Sequence, residues 1–344
     1  MATNDLVQKT ADLLNIKDIE DARATIKKYA RRTPMIQSMF LSRNVTGGNV
    51  YLKLENMQLT GSFKFRGANN AMQHLTEEQK KRGVICASAG NHAQGVALTG
   101  KLLGIKTVVV MPEEAPQMKR DATRGYGAEV DIHGATFDDA HEWMHERAKK
   151  EGLTVVDPFD NKMVAAGQGT IGLEILDDLW NVDTVIVPVG GGGLMSGIAT
   201  AVKSFNPSIH VVGVQSENVH GMAESVNKGK RTYHHNDFTL ADGTDVAMPG
   251  EITFPICDNL VDEWVLVSEE EIAQAMKDLM QRTKIVAEGA GALPTAALEA
   301  HKIDDKYIKG KNVVALVSGG NVDLSRVANI IDHFFKPVKK GIIG

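Results

Sequence analysis

Short apolar runs rich in β-branched residues alternate along this chain with longer segments whose apolar residues recur three and four apart. Residues 16–31 predict a helix ending near Arg31, Arg32 and Pro34, and 50–54 (VYLKL) predict a strand. A helical segment is expected from Gly67 to Leu75. Thr76 and Gln79 then have the spacing of a capping box, with Gly83 as the stop. Strands follow at 84–87, 107–111 and 128–132, separated by helical stretches over 88–104 and 115–127 and followed by a helix at 137–150. From Gly167 the alternation resumes with a helix to Trp180, a strand at 184–189, a helix at 194–204 and a strand at 210–214. A less regular section at 219–262 precedes a helix at 269–283 and a strand at 313–317.

Strands joined by crossover helices predict an α/β protein of open, mostly parallel twisted sheets with helices on both faces. With 344 residues, 43% of them hydrophobic, two domains are expected. We place the boundaries at 1–76 and 156–344 for a large domain and 77–155 for a smaller one inserted in it, with a cleft between. A net charge of -5 leaves no basic footprint for nucleic acid. The least charged run, 184–202 (TVIVPVGGGGLMSGIATAV), is interrupted by Pro188 and four glycines, so strand, loop and helix are expected there and not a membrane span. The N-terminal residues lack the pattern of a signal peptide, and two cysteines, Cys86 and Cys257, support neither a disulfide framework nor a thiolate metal site. A cytoplasmic protein with both thiols buried is the expectation.

Four stretches carry chemistry. In TGSFKFRGA, Lys64 sits in a glycine-bounded turn between Phe63 and Phe65. Desolvation there lowers an amine's pKa and makes it a nucleophile toward a carbonyl. The plainer alternative is a lysine lying over apolar surface. Gly190, Gly191, Gly192, Gly193 and Leu194 follow a strand and open a helix, where bare amides and the helix dipole make a phosphate cradle. No G-x-G-x-x-G register or G-x-x-x-x-G-K-[ST] motif is present. Ser88, Ala89, Gly90, Asn91 and His92 form a similar junction that can hold a carboxylate or serve as a plain cap. Ser318, Gly319, Gly320 and Asn321 close a strand on the cleft side of a parallel sheet.

Together, GSFKFRGA, SAGNHAQG, VGGGGL, EGAGA and SGGNVDLSR resemble, in order, the motifs of the fold-type II pyridoxal phosphate enzymes, which are tryptophan synthase β-like. Within them the chain is similar to the single-domain, catabolic threonine dehydratases. The resemblance runs from about Asp18 to Asn329. It implies that Lys64 binds pyridoxal 5'-phosphate and acts as the catalytic base, with Phe63 against the ring. It also implies that Gly190 to Leu194 hold the phosphate, Asn91 the ring hydroxyl and Ser318 the ring nitrogen, and that Glu288 opens the late cleft motif. Ser88 to His92 are then the loop for the substrate carboxylate. A serine at the ring nitrogen brings no negative charge, so the electron sink is weaker and prompt loss of the β-hydroxyl is favoured. The implied reaction converts L-threonine to 2-oxobutanoate and ammonia, and L-serine to pyruvate, in a homodimer or homotetramer.

Related serine racemases typically carry serine where this chain has Ala89, so racemase or serine dehydratase is the runner-up. Their cation-binding acidic residues are replaced here by Gln215 and Gly221, and no metal is expected. A regulatory domain for isoleucine is not expected after the last motif. The resemblance implies an AMP activator near Leu59, Thr60, Gln94, Gly125 and Asn321, although Leu59 brings no charge for its phosphate. A rival from another class is a zinc hydrolase, because His141-Glu142-Trp143-Met144-His145 fits H-E-x-x-H on a predicted helix. No third ligand is evident downstream.

Overall fold

In the computed structural model, which describes residues 5–115 and 117–334, ten strands form two sheets. The strands are β1 (Met35–Gln37), β2 (Asn49–Leu54), β3 (Val84–Ala87), β4 (Thr107–Met111), β5 (Glu129–Ile132), β6 (Thr154–Val155), β7 (Thr184–Pro188), β8 (His210–Ser216), β9 (Glu263–Val267) and β10 (Asn312–Val317). The larger sheet has the order β1-β2-β10-β7-β8-β9 and the smaller β5-β4-β3-β6. Every pairing is parallel except β1 with β2. The expected α/β class therefore holds.

Alternation along each strand sends side chains to opposite faces, and in this protein both faces are apolar. On β10, Val313, Ala315 and Val317 enter one core with Leu52 and Val212, whereas Val314 and Leu316 enter another with Val185 and Val187. The small sheet divides in the same way. Val84, Cys86, Val109 and Met111 pack on one side, and Ile85, Ala87, Val108 and Val110 on the other. Cys86 and Cys257 are buried, and burial pushes both thiols up to about 12. No helix among the described residues is long and apolar enough to cross a membrane.

Local signals are obeyed where they act alone. Thr76 and Gln79 form the capping box of helix Glu77–Arg82, and Gly83 ends it at φ 102°. Two expectations are corrected. Lys64 is not in a turn but is the first residue of helix Lys64–Gln73, and Gly67 lies inside that helix. A Cβ at Gly67 would come within 2.3 Å of Gln168 Nε2 and 2.8 Å of the Val164 carbonyl, so this glycine serves close helix packing and not chain reversal. The expected helix at 269–283 changes at Leu279 to a π-helical turn, Leu279–Thr283. Pro116, within the expected helix at 115–127, lies outside the described residues, and the helix runs Gln117–Gly125. Strands β1, β6 and β9 and helix Gly289–Glu299, which contains Pro294, are additions to the sequence reading.

Candidate active site

The carboxyl ends of β3, β6, β7 and β10 open onto one cavity of about 900 Å³. Parallel strands place their following loops on the same side of a sheet, which is why sequence-distant stretches meet here. Phe63, Lys64, Ser88 to His92, Gly190 to Leu194, Glu288 and Ser318 all line it.

Lys64 is held from both directions. Ahead of it, Ser62 bridges Gly319 and the Phe63 amide donates to the Ser318 carbonyl at 3.0 Å. Behind it on the same helix, buried Arg66 donates to both oxygens of Glu55 at 2.8 and 2.9 Å and to both oxygens of Glu174 at 2.7 and 2.9 Å. Lys53 donates to Glu174 at 2.6 Å. From the small sheet, Gly95 brings its helix so near that a Cβ there would sit 3.2 Å from the Lys64 backbone carbon. The half-buried Lys64 side chain donates from Nζ to the Pro158 carbonyl at 2.8 Å, with Nζ 5.3 Å from the Phe63 ring centroid. Burial lowers its pKa to about 8, against the charges of Asp157 and Glu288. Phe65 turns away and is wholly buried in the protein, so only one of the two flanking rings meets the amine.

The glycine loop is shaped from outside the cavity. A Cβ on Gly191 would lie 2.4 to 2.5 Å from three Phe159 ring atoms, and one on Gly192, at φ 96°, would strike Met222 and Thr253. Thr253 Oγ1 donates to the Gly191 carbonyl at 2.5 Å and the Ser196 amide to the Gly192 carbonyl at 2.8 Å. The carbonyls are thus engaged by protein. Among the described residues no protein acceptor meets the amides from Gly190 to Met195, which leaves a nest of donors at the start of helix Gly193–Phe205.

Asn91 connects the remaining loops. Its Nδ2 donates to Glu288 Oε1 at 2.7 Å, and its Oδ1 accepts from Asn321 Nδ2 at 2.7 Å. Burial first, then the charge of Asp242, raises the Glu288 carboxyl to about 8, opposed by the Asn91 bond. His92 is buried, its Nε2 donates to the Val156 carbonyl at 2.8 Å, and its Nδ1 has no partner. Burial, with the Lys64 charge behind it, takes its pKa down to about 3, so the ring stays neutral and Nδ1 remains an acceptor. Ser88 Oγ accepts from the Gly90 amide at 3.2 Å, and a Cβ at Gly90 would meet nothing within 4 Å. That loop is open to a ligand.

Of the expected nucleotide residues, Thr60 accepts at its carbonyl from Asn321 at 2.7 Å, and Gln94 and Asn321 line the cavity. Leu59 is beside Thr60 in Leu59–Gly61, which packs on helix Asn91–Leu103, whereas Gly125 closes a separate helix. Gln215 is consumed internally, donating to the Val189 carbonyl at 3.1 Å and accepting from the Ala223 amide at 2.8 Å. His141 and His145 stand edge-on, 4.7 Å between centroids, but no third ligand joins them among the described residues. Sequence reasoning missed Pro158, Phe159, Asp242 and Thr244, all lining the cavity. A signal existed for the first two, because Asp157 of D-P-F-D accepts from the amides of Phe159 and Asp160, an Asx turn.

A nucleophilic lysine, a nest of free amides and an uncharged serine in one α/β cleft define a class. The chain belongs to the family of pyridoxal-phosphate dependent enzymes, matched over residues 26–319. It is 63% identical over 346 aligned residues, covering all of both chains, to a protein of Staphylococcus aureus (strain N315) named L-threonine dehydratase catabolic TdcB. Among solved structures it resembles processed threonine deaminase isoform 2 of Solanum lycopersicum, at 39% identity and TM-score 0.87, covering 94% of this chain and 93% of that one. It also resembles maize serine racemase, at 34% identity and TM-score 0.88, covering 93% and 98%. The cofactor of the family fits the donors present. The amine of lowered pKa can take its aldehyde and the amide nest its phosphate.

Proposed function

We propose that this chain is a threonine dehydratase of the catabolic type, converting L-threonine to 2-oxobutanoate and ammonia and L-serine to pyruvate. The observation that carries the reading is Lys64. Its low-pKa amine lies in one cavity with the free amides of Gly190 to Leu194, in a chain full-length similar to a catabolic threonine dehydratase. Pyridoxal phosphate, when bound, supplies an electron-withdrawing ring that accepts the charge released at Cα.

The residues divide the remaining work. Lys64 would hold the cofactor through its amine, and the same amine as the free base would accept the substrate's Cα proton. At pKa about 8 roughly a tenth of such amines are free base at pH 7, some 300-fold more than at 10.5. The amides of Gly190 to Leu194 bind the phosphate, and those around Ser88, Ala89, Gly90, Asn91 and His92 bind the substrate carboxylate at the start of helix Asn91–Leu103. Asn91, fixed by Glu288 and Asn321, meets the ring hydroxyl, and Phe63 packs on the ring. Ser318 offers the ring nitrogen a hydroxyl without charge, which favours expulsion of the β-hydroxyl over storage of a carbanion. Ala89 has no proton to give on the opposite face, so elimination is served and racemisation is not. The water lost at Cβ is regained when the product imine is hydrolysed, and ammonia is the net leaving group.

We also take 77–155 as the small domain, the cytoplasm as the compartment and a homodimer or homotetramer as the assembly. AMP would bind near Thr60, Gln94 and Asn321, and added AMP should then lower the apparent KM for threonine. The test of the main reading is one experiment. Purified protein should be yellow, change its visible spectrum with L-threonine and release 2-oxobutanoate and ammonia, all of which Lys64→Ala should lose. Formation of D-threonine or D-serine in place of these products would favour the racemase reading instead.

A further inference from the structure

Away from the chemistry just described, three metal-capable side chains converge. His220, Glu224 and His234 are each partly buried, and one ligand atom from each lies within 4.8 Å of the others. His220 caps helix Gly221–Lys228 and Glu224 follows one turn later, so four-residue spacing puts both on one helix face. His234 comes from the extended segment beyond that helix, and its ring centroid lies 4.1 Å from that of His220.

Each imidazole is already oriented through one nitrogen. His220 Nδ1 lies 2.8 Å from the Glu217 carbonyl, which can only accept, so this nitrogen carries the proton and Nε2 keeps a free lone pair. His234 Nδ1 lies 2.6 Å from Glu224 Oε2. An ion taking Glu224 Oε2 and His234 Nδ1 together displaces the proton shared between them. His220, with one ring nitrogen fixed on an oxygen acceptor and the other open to an ion, has the arrangement of histidine ligands generally.

We propose that His220, Glu224 and His234 bind one divalent late transition-metal ion of the zinc type. Two imidazoles and one carboxylate suit zinc or nickel, whereas calcium and magnesium need oxygen ligands throughout. The placement gives the ion a consequence. Tyr233, His235 and Asn236 line the catalytic cavity, and His234 between them faces the helix. The segment is also attached by the His234 amide on the Ala247 carbonyl at 2.8 Å, the Thr232 amide on Ser225 Oγ at 2.9 Å, Arg231 Nε on the Pro249 carbonyl at 2.9 Å and Asn236 Nδ2 on Asp245 Oδ1 at 2.6 Å. An ion at His234 pins the strip that forms this wall of the cleft.

Calorimetric titration of the holoenzyme with zinc chloride tests this. One ion per chain should bind, unaffected by excess magnesium. His220→Ala and His234→Ala should each weaken it by at least the ~10–100-fold that loss of even an outer-shell partner costs, while His141→Ala leaves it intact. If an alanine variant does not fold, Glu224→Gln reads the same loss with side-chain volume kept. No tight equivalent in the wild type, binding that survives both histidine variants, or binding lost in His141→Ala overturns the site. Zinc should also slow tryptic cleavage after Arg231, and unchanged cleavage overturns the pinning. The titration reads the ion itself, so it fails or succeeds independently of the threonine reading.

Discussion

Replacing Glu288 by glutamine tests whether this cleft holds a neutral carboxylic acid. The side chain is 5% exposed and its pKa is raised from 4.5 to about 8, by burial and then by the Asp242 charge. Between those two values the folded chain keeps a proton that the unfolded chain has released. Stability is therefore full below about pH 4.5 and falls as pH rises through about 8. At about 1.36 kcal/mol per pKa unit, less partial titration at each end, the loss from pH 5 to pH 8 is on the order of 3–4 kcal/mol. For 344 residues at ~2.1 cal/mol/K each, the melting entropy is roughly 0.7 kcal/mol/K, so the effect is about 5 °C in Tm. Glu288→Gln preserves the shape and the acceptor for Asn91 Nδ2 but cannot titrate. Thermal melts of the two cofactor-free proteins should show wild type losing about 5 °C relative to the variant between pH 5 and pH 8. A gap that is the same at both pH values would refute the argument and mean that Glu288 is ionised throughout.

The same physical reasoning reaches other parts of the cleft. Capture of added pyridoxal phosphate by cofactor-free protein, followed by stopped-flow absorbance, should quicken with pH and level off near pH 8, because the neutral Lys64 amine is the reactant; a rise continuing past pH 10 would show an unperturbed lysine. Gly191→Ala drives a methyl into the Phe159 ring, an overpacking of about 1–3 kcal/mol. Cofactor affinity measured by equilibrium dialysis should fall roughly 5- to 150-fold, and unchanged retention would mean that the loop yields freely. Arg66→Met leaves Glu55 and Glu174 buried without their shared cation and should cost about 3–5 kcal/mol in urea unfolding. A loss below about 1 kcal/mol would mean that water reaches the pair.

Much of this protein is written in local signals. The capping box at Thr76 and Gln79 is legible because cap and acceptor are three residues apart and need nothing else. The β-branched runs are legible because both sheet faces are apolar, and the strand-to-helix junctions at Ser88 and Gly190 because glycine at a helix start has few other uses. Lys64, the glycine loop and Ser318 could therefore be nominated before any fold was known. What tertiary structure decided is what surrounds them. Gly67 looks like a turn residue until Gln168 and Val164 are seen against it. The two-residue strand β6 and the edge strand β1 are too short to announce themselves without their partners. Helix Gly289–Glu299 carries Pro294 in its interior, where proline costs a backbone hydrogen bond, so its neighbours decide that the helix continues. The pKa values of Lys64, His92 and Glu288 come from burial and from charges far away in sequence, Asp242 on Glu288 among them. Likewise, His220, Glu224 and His234 became a cluster only when the segment after the helix folded back on it. Local chemistry is set by spacing along the chain, whereas desolvation and charge depend on neighbours that only the folded chain brings within range.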